Sequence, residues 1–187
     1  RTANKKLAAT VVEKALALEL INRTTGPAAW ATVGNMRLMT QDTAGALDAA
    51  RRGVALKADA EEPVLLAVAL LDQKVAGADA IVNKYMAGKP TPDLRMALAR
   101  HEISRQRYAL AYAQMLLLTK EKPDFPEAWL LRGSLELQDA KYELAASSVK
   151  AFIDLNPHPP QSEDAPVAMG RGLVQAYLLL SQITEQQ

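Results

Sequence analysis

Apolar residues recur three or four positions apart along most of the chain, interrupted at regular intervals by proline, glycine and polar residues. That is the helical period, so the pattern predicts an all-α chain of short amphipathic helices. Leu7, Val11, Ala15, Leu18 and Ile21 stand about one turn apart and predict a helix over 3–22, ended by the polar run 23–26. A helix is predicted again over 167–187. A longer period lies on top of the helical one. Tyr108, Ala111 and Pro123 are followed 34 residues later by Tyr142, Ala145 and Pro157. Self-similarity at such a period marks stacked helical hairpins, and the chain has room for about ten helices.

The clearest unit is 126–159, where Trp129, Gly133, Tyr142, Ala145, Phe152 and Pro157 hold the fourth, eighth, seventeenth, twentieth, twenty-seventh and thirty-second places. Gly133 and Ala145 are small where two antiparallel helices must cross, and Pro157 ends the hairpin. The unit 92–125 has Leu98, Ala99, Tyr108, Ala111, Leu118 and Pro123 in the same register. In 27–60, Trp30, Val33, Gly34 and Ala46 are in place, while Thr43 replaces the tyrosine and Gly53 the usual alanine. Looser packing of its second helix is expected. The unit 61–91 is shortened: Pro63 begins its first helix, Ala80 and Ala87 match, and Gly77 stands where the tyrosine is expected. Segment 1–26 reads as half of an upstream repeat. Segment 160–173 reads as a loop and the start of a helix, with Ser162 or Asp164 as caps, and 174–187 as the first helix of a truncated fifth repeat. A first helix without its second leaves an apolar face uncovered, which favours self-association through exposed repeat ends.

These signature places resemble the tetratricopeptide repeat. The resemblance implies a right-handed superhelical solenoid of antiparallel hairpins whose first helices line a concave groove. It further implies that the second, fifth, ninth, twelfth and thirteenth places of each repeat meet ligands. Carried over by position, the first repeat offers Ala28, Ala31, Asn35, Leu38 and Met39, and the second Glu62, Leu65, Ala69, Asp72 and Gln73. The third offers Asp93, Met96, Arg100, Ile103 and Ser104, and the fourth Glu127, Leu130, Ser134, Leu137 and Gln138. Such a groove is mostly apolar, with Arg100 and Asn35 among few polar anchors and Met39 and Met96 as adaptable contacts. It suits an amphipathic helix or an extended apolar peptide. Of the lysine, asparagine and arginine set that clamps a C-terminal carboxylate in some members of the family, only Asn35 stands at an expected place. The phrases beginning at Pro92, Ala128 and Tyr177 also resemble large, often exported proteobacterial repeat proteins, which implies a periplasmic or outer-membrane setting, with the cytoplasm as the alternative. The chain begins at Arg1 and reads as a piece of a longer protein, with any targeting signal outside it.

Composition narrows the function. Net charge is +1, from 22 basic and 21 acidic residues, so the basic excess of a nucleic-acid binder is lacking. With no cysteine, disulfides, thiolate metal sites and cysteine nucleophiles are excluded. No apolar run is long enough to span a bilayer. His101 has Arg105 where a second zinc-binding histidine would stand, and His158 lies in a proline-rich turn. Residues 169–172 lack the spacing and preceding strand of a phosphate loop. Arg95, Arg100, Arg105 and Arg107 with His101 make one stretch locally basic, read as a solvated face. Asn22 begins a glycosylation triplet that carries no weight. The expectation is a non-enzymatic scaffold without cofactor, metal or catalytic residues, holding a protein or peptide partner. The alternative is a structural arm of a larger envelope complex, or of an enzyme whose catalytic domain lies elsewhere.

Overall fold

The computed structural model describes residues 26–156 and 167–186, and side chains over 26–156 and 172–185. The predicted helix over 3–22, Asn22, His158, Ser162 and Asp164 lie outside the described residues. Within them the chain forms nine helices and no strand. They are α1 (Pro27–Met39), α2 (Thr43–Leu56), α3 (Glu61–Asp72), α4 (Ala78–Met86), α5 (Pro92–Ser104), α6 (Tyr108–Glu121), α7 (Pro126–Gln138), α8 (Tyr142–Leu155) and α9 (Val167–Gln186).

Local chemistry sets the helix ends. Pro27 and Pro126 stand in the first turns of α1 and α7, and Pro92 begins α5. A fixed φ suits that position, and the missing N–H is one the helix could not use. The Asp42 carboxylate caps α2 by accepting from the Gly45 N–H at 2.9 Å, and Thr91 Oγ1 accepts from the Leu94 N–H at 3.2 Å. Four helix pairs share one turn. Gln41, Lys74, Gln106 and Ala140 have φ of 66°, 58°, 59° and 56°, and the next residue donates to the carbonyl five positions back at 2.8–3.0 Å. This left-handed C-terminal turn satisfies carbonyls that the helix end leaves open.

The chain divides into two compact units, Arg1–Ala97 and Leu98–Gln187, with the division inside α5. In the first, α1 packs on α2, α3 packs on both, and α4 packs on α3 and α2. Its core joins Ala46, Leu47 and Ala50 of α2 to Leu66 and Leu70 of α3 and Ala78 of α4. Alanine lets the helices approach closely, and each fully buried leucine contributes roughly 1.5–3 kcal/mol. Gly34 is required at the crossing, where an added Cβ would run into Leu66 Cδ2 and stand 3.2 Å from Ala49 Cβ. The looser packing expected at Gly53 is not found. The Pro63 ring occupies the room that the missing side chain leaves.

In the second unit α6 packs on α7, α7 on α8, and α9 on both α8 and α7. Thus α9 lies against its preceding pair as α3 lies against α1 and α2. Val149 and Phe152 of α8 meet Leu173 and Ala176 of α9, with Trp129 and Leu130 of α7 at the edge. A polar network crosses α6, α7 and α8. Glu136, fully buried, accepts from Ser148 Oγ at 2.6 Å, Arg132 Nε at 2.8 Å and Tyr112 Oη at 3.0 Å. Arg132 also donates to Thr119 Oγ1 and lies over the Trp129 ring at 5.2 Å. Every acceptor site of a buried carboxylate that is filled this way offsets part of its desolvation.

The network gives a signature in alkali. The Tyr112 phenol is held above its ordinary value of 10.0, first by burial, then by its bond to Glu136 and that carboxylate's charge; Arg132 and Lys141 pull the other way. The neutral phenol is therefore favoured in the folded state. Its contribution is whole below the unfolded value of about 10 and is lost as pH rises through the higher folded value. The stability gap between the wild type and Tyr112→Phe, measured by urea unfolding, is expected to narrow above that pH. A constant gap would contradict the network's role.

Candidate functional site

The first-helix face of the Arg1–Ala97 unit contains a concavity of about 360 Å³ between α1 and α3. Ala28, Ala31, Thr32 and Asn35 line it from α1, and Glu62, Leu65 and Leu66 from α3. The four α1 residues lie within about two turns along one side of the helix, and three of their places recur on α3, so a shared register brings both stripes to one hollow. Ala28 and Ala31 leave room for a chain to approach. Asn35 is exposed, and its amide can both donate to and accept from a peptide backbone. Glu62 is an exposed carboxylate in the first turn of α3. Leu66 is 2% exposed and forms the floor, shared with the core. Thr32 Oγ1 donates to the Ala28 carbonyl at 3.0 Å, leaving its lone pairs toward solvent.

Ala28, Ala31, Asn35, Glu62 and Leu65 are thus the carried-over positions that line this one hollow. Thr32 and Leu66 were not among the carried-over positions, although each directly follows one. Leu38 packs on the Ala46–Leu66 core instead, while Met39, next to it, is 84% exposed at the end of α1. Asp72 is exposed at the end of α3. Met96, expected as an adaptable contact, is 5% exposed. It belongs to the buried positions of α5 with Leu94 and Ala99.

Along the rest of the chain, Arg100 and Ser104 are exposed and Ile103 is half-buried; Ser104 Oγ donates to the His101 carbonyl at 2.7 Å. On α7, Leu130 joins the Phe152 cluster, Ser134 Oγ donates to the Leu130 carbonyl at 3.0 Å, Leu137 is half-buried and Gln138 exposed. Of these, Leu130 is held by packing, and Ser104 and Ser134 by bonds within their own helix. The basic stretch also disperses. Arg95 is buried, and Arg107 pairs with Glu102 at 2.6 Å and reaches His101 Nε2 at 3.5 Å. Only Arg100 and Arg105 of that set remain as exposed cations without a described ion pair.

No protein-family model matches the chain, and no curated protein matches it. Solved structures do. The crystal structure of MamA is 13% identical with a TM-score of 0.57, covering 86% of this chain and 87% of that one. PilF of Pseudomonas aeruginosa is 16% identical with a TM-score of 0.56, covering 86% and 74%. YrrB, described as a TPR protein with an unusual peptide-binding site, is 17% identical with a TM-score of 0.55, covering 94% and 93%. The chain has the tetratricopeptide-repeat fold. At these identities the likeness speaks for the backbone alone, and the site must be argued from its own residues.

In the tetratricopeptide fold the hollow between α1 and α3 lies between the first helices of successive hairpins. Among the described residues no group of three histidine, aspartate or glutamate side chains is placed to hold a metal ion. No helix among them is long and apolar enough to cross a membrane.

Proposed function

We propose that the chain is a non-enzymatic interaction scaffold that holds a peptide segment of a partner protein against the first helices of its Arg1–Ala97 unit. The observation that carries this is the α1/α3 concavity, which joins small apolar walls, a half-buried leucine, an exposed amide and an exposed carboxylate. Asn35 pairs a backbone amide of the ligand, Ala28 and Ala31 admit a small apolar side chain beside Leu65, and Glu62 favours a neighbouring basic residue. Specificity then comes from the few polar groups and affinity from the apolar contact. The description of YrrB as peptide-binding supports the reading by analogy of fold.

The test is selection of short peptides from a display library on the full chain, followed by titration of the enriched sequences. Those sequences are expected to pair a small apolar residue with a lysine or arginine. Leu65→Glu should weaken them at least about tenfold and Asn35→Ala about three- to tenfold, with melting temperatures checked for both. Equal affinity for wild type and both variants would sink the proposal.

A further inference from the structure

A second cavity, of about 280 Å³, lies in the same unit between α2 and α4, with Val64 of α3 in its wall. Its floor includes Val54, Val64 and Ile81, and its polar rim is Arg51, Lys84 and Tyr85. The cavity opens where the repeat pattern is broken. Gly77, where the units 92–125 and 126–159 carry tyrosine, leads into an α4 of only nine residues and has φ of +88°. A Cβ there would stand 2.8 Å from Arg51 Nη2, so glycine leaves the guanidinium room at that end.

The charges are one-sided. Among the described residues no carboxylate lines the cavity. Arg37, Arg52 and Lys57 of this unit are held in ion pairs, and neither Arg51 nor Lys84 has an ion-pair partner among the described residues. Carboxylates gather at the Tyr85 end, where the phenol meets the Asp59 carbonyl at 3.5 Å. Burial and then Glu61, Asp59 and Glu62 raise that phenol above its ordinary value. An anion therefore belongs at the Arg51 and Gly77 end, with its apolar part along Val54, Ile81 and Val64. Unlike the α1/α3 hollow, this cavity has no side-chain amide on its wall among the described residues to pair a peptide backbone.

We infer that the α2/α4 cavity binds a free aliphatic carboxylate, its head on Arg51 and its chain over the Val54–Ile81–Val64 floor. Since a cavity of about 150 Å³ holds benzene, the volume here admits a chain of about eight carbons. The site is separate from the peptide site and does not rest on it.

The test is titration of the full chain, methyl-labelled at valine and isoleucine, with octanoate. Shifts are expected at Val54, Val64 and Ile81. Affinity should rise up to about fourfold per methylene from butanoate to octanoate, as burial of each CH₂ predicts. Arg51→Gln should weaken octanoate about tenfold, and octylamine should bind worse than octanoate. Ala80→Phe, which fills the cavity from its α4 wall, should abolish binding while circular dichroism and melting stay as in the wild type. Absence of methyl shifts at millimolar octanoate, or equal binding of octylamine, would overturn the inference. Tighter binding by a short peptide with a free apolar C-terminus, lost on amidation, would overturn the free acid as the ligand.

Discussion

Glu136→Ala is expected to lower the unfolding free energy by about 3–5 kcal/mol, the scale of breaking a buried ion pair from one side. The carboxylate is fully buried and accepts from Arg132, Ser148 and Tyr112. Removing it leaves a mostly buried guanidinium, whose side chain is 19% exposed, without its charge partner. Two hydroxyls also lose their acceptor, each a desolvation penalty of roughly 1–3 kcal/mol if unrelieved. Some relief comes from Thr119, which already accepts from Arg132, and that argues for the lower part of the range. The double variant Arg132→Leu plus Glu136→Leu should be less destabilised than Glu136→Ala, because no buried charge remains. Urea unfolding measures both. A loss below about 1 kcal/mol for Glu136→Ala, the worth of an exposed ion pair, would contradict this account.

Gly133→Leu carries the other large effect. An added Cβ would stand 2.7 Å from Val149 Cγ2, 3.3 Å from the Ala145 carbonyl and 3.4 Å from Ser148 Cβ, all on α8. The backbone and a stiff, fully buried valine cannot yield cheaply, so a leucine must pry α7 from α8. Overpacking of this kind is expected to cost about 3 kcal/mol. Gly133→Ala should cost only about 1 kcal/mol, since alanine regains roughly 1 kcal/mol of helix propensity. Gly88, exposed and with only the Tyr85 carbonyl at 3.4 Å, is the control, and Gly88→Ala should be near neutral. A wild-type melting temperature for Gly133→Leu would mean that α7 and α8 do not cross there.

These two residues show how unevenly the sequence reveals the molecule. Gly133 and Ala145 were legible, because a small residue at a fixed offset in a helical hairpin has a packing cause that the structure shows directly. Pro27, Pro92 and Pro126, the first residues of three of the units, stand in the first turns of α1, α5 and α7, where proline fits. Glu136 was not. Four residues after Arg132, it reads as an ordinary surface pair, and its burial depends on Tyr112 and Ser148 arriving from other helices. Met96, at the place held by Ala31 and Leu65 in the first two repeats, is 5% exposed, which its place in the repeat does not foretell. Asn35 and Leu65 fall on one hollow because α1 and α3 pack side by side in one unit. The α2/α4 cavity escaped notice since a glycine in place of tyrosine reports only a missing side chain, not what surrounds the space.

The account's central claim is that ligand peptides lie on the α1/α3 face. Its most direct test is a backbone-amide shift map of the full chain as a display-selected peptide is added. The account predicts the largest shifts at Ala28, Ala31, Thr32, Asn35, Glu62 and Leu65, with α2 and α4 little changed. Shifts concentrated on α2 and α4, or confined to the second unit, would contradict it.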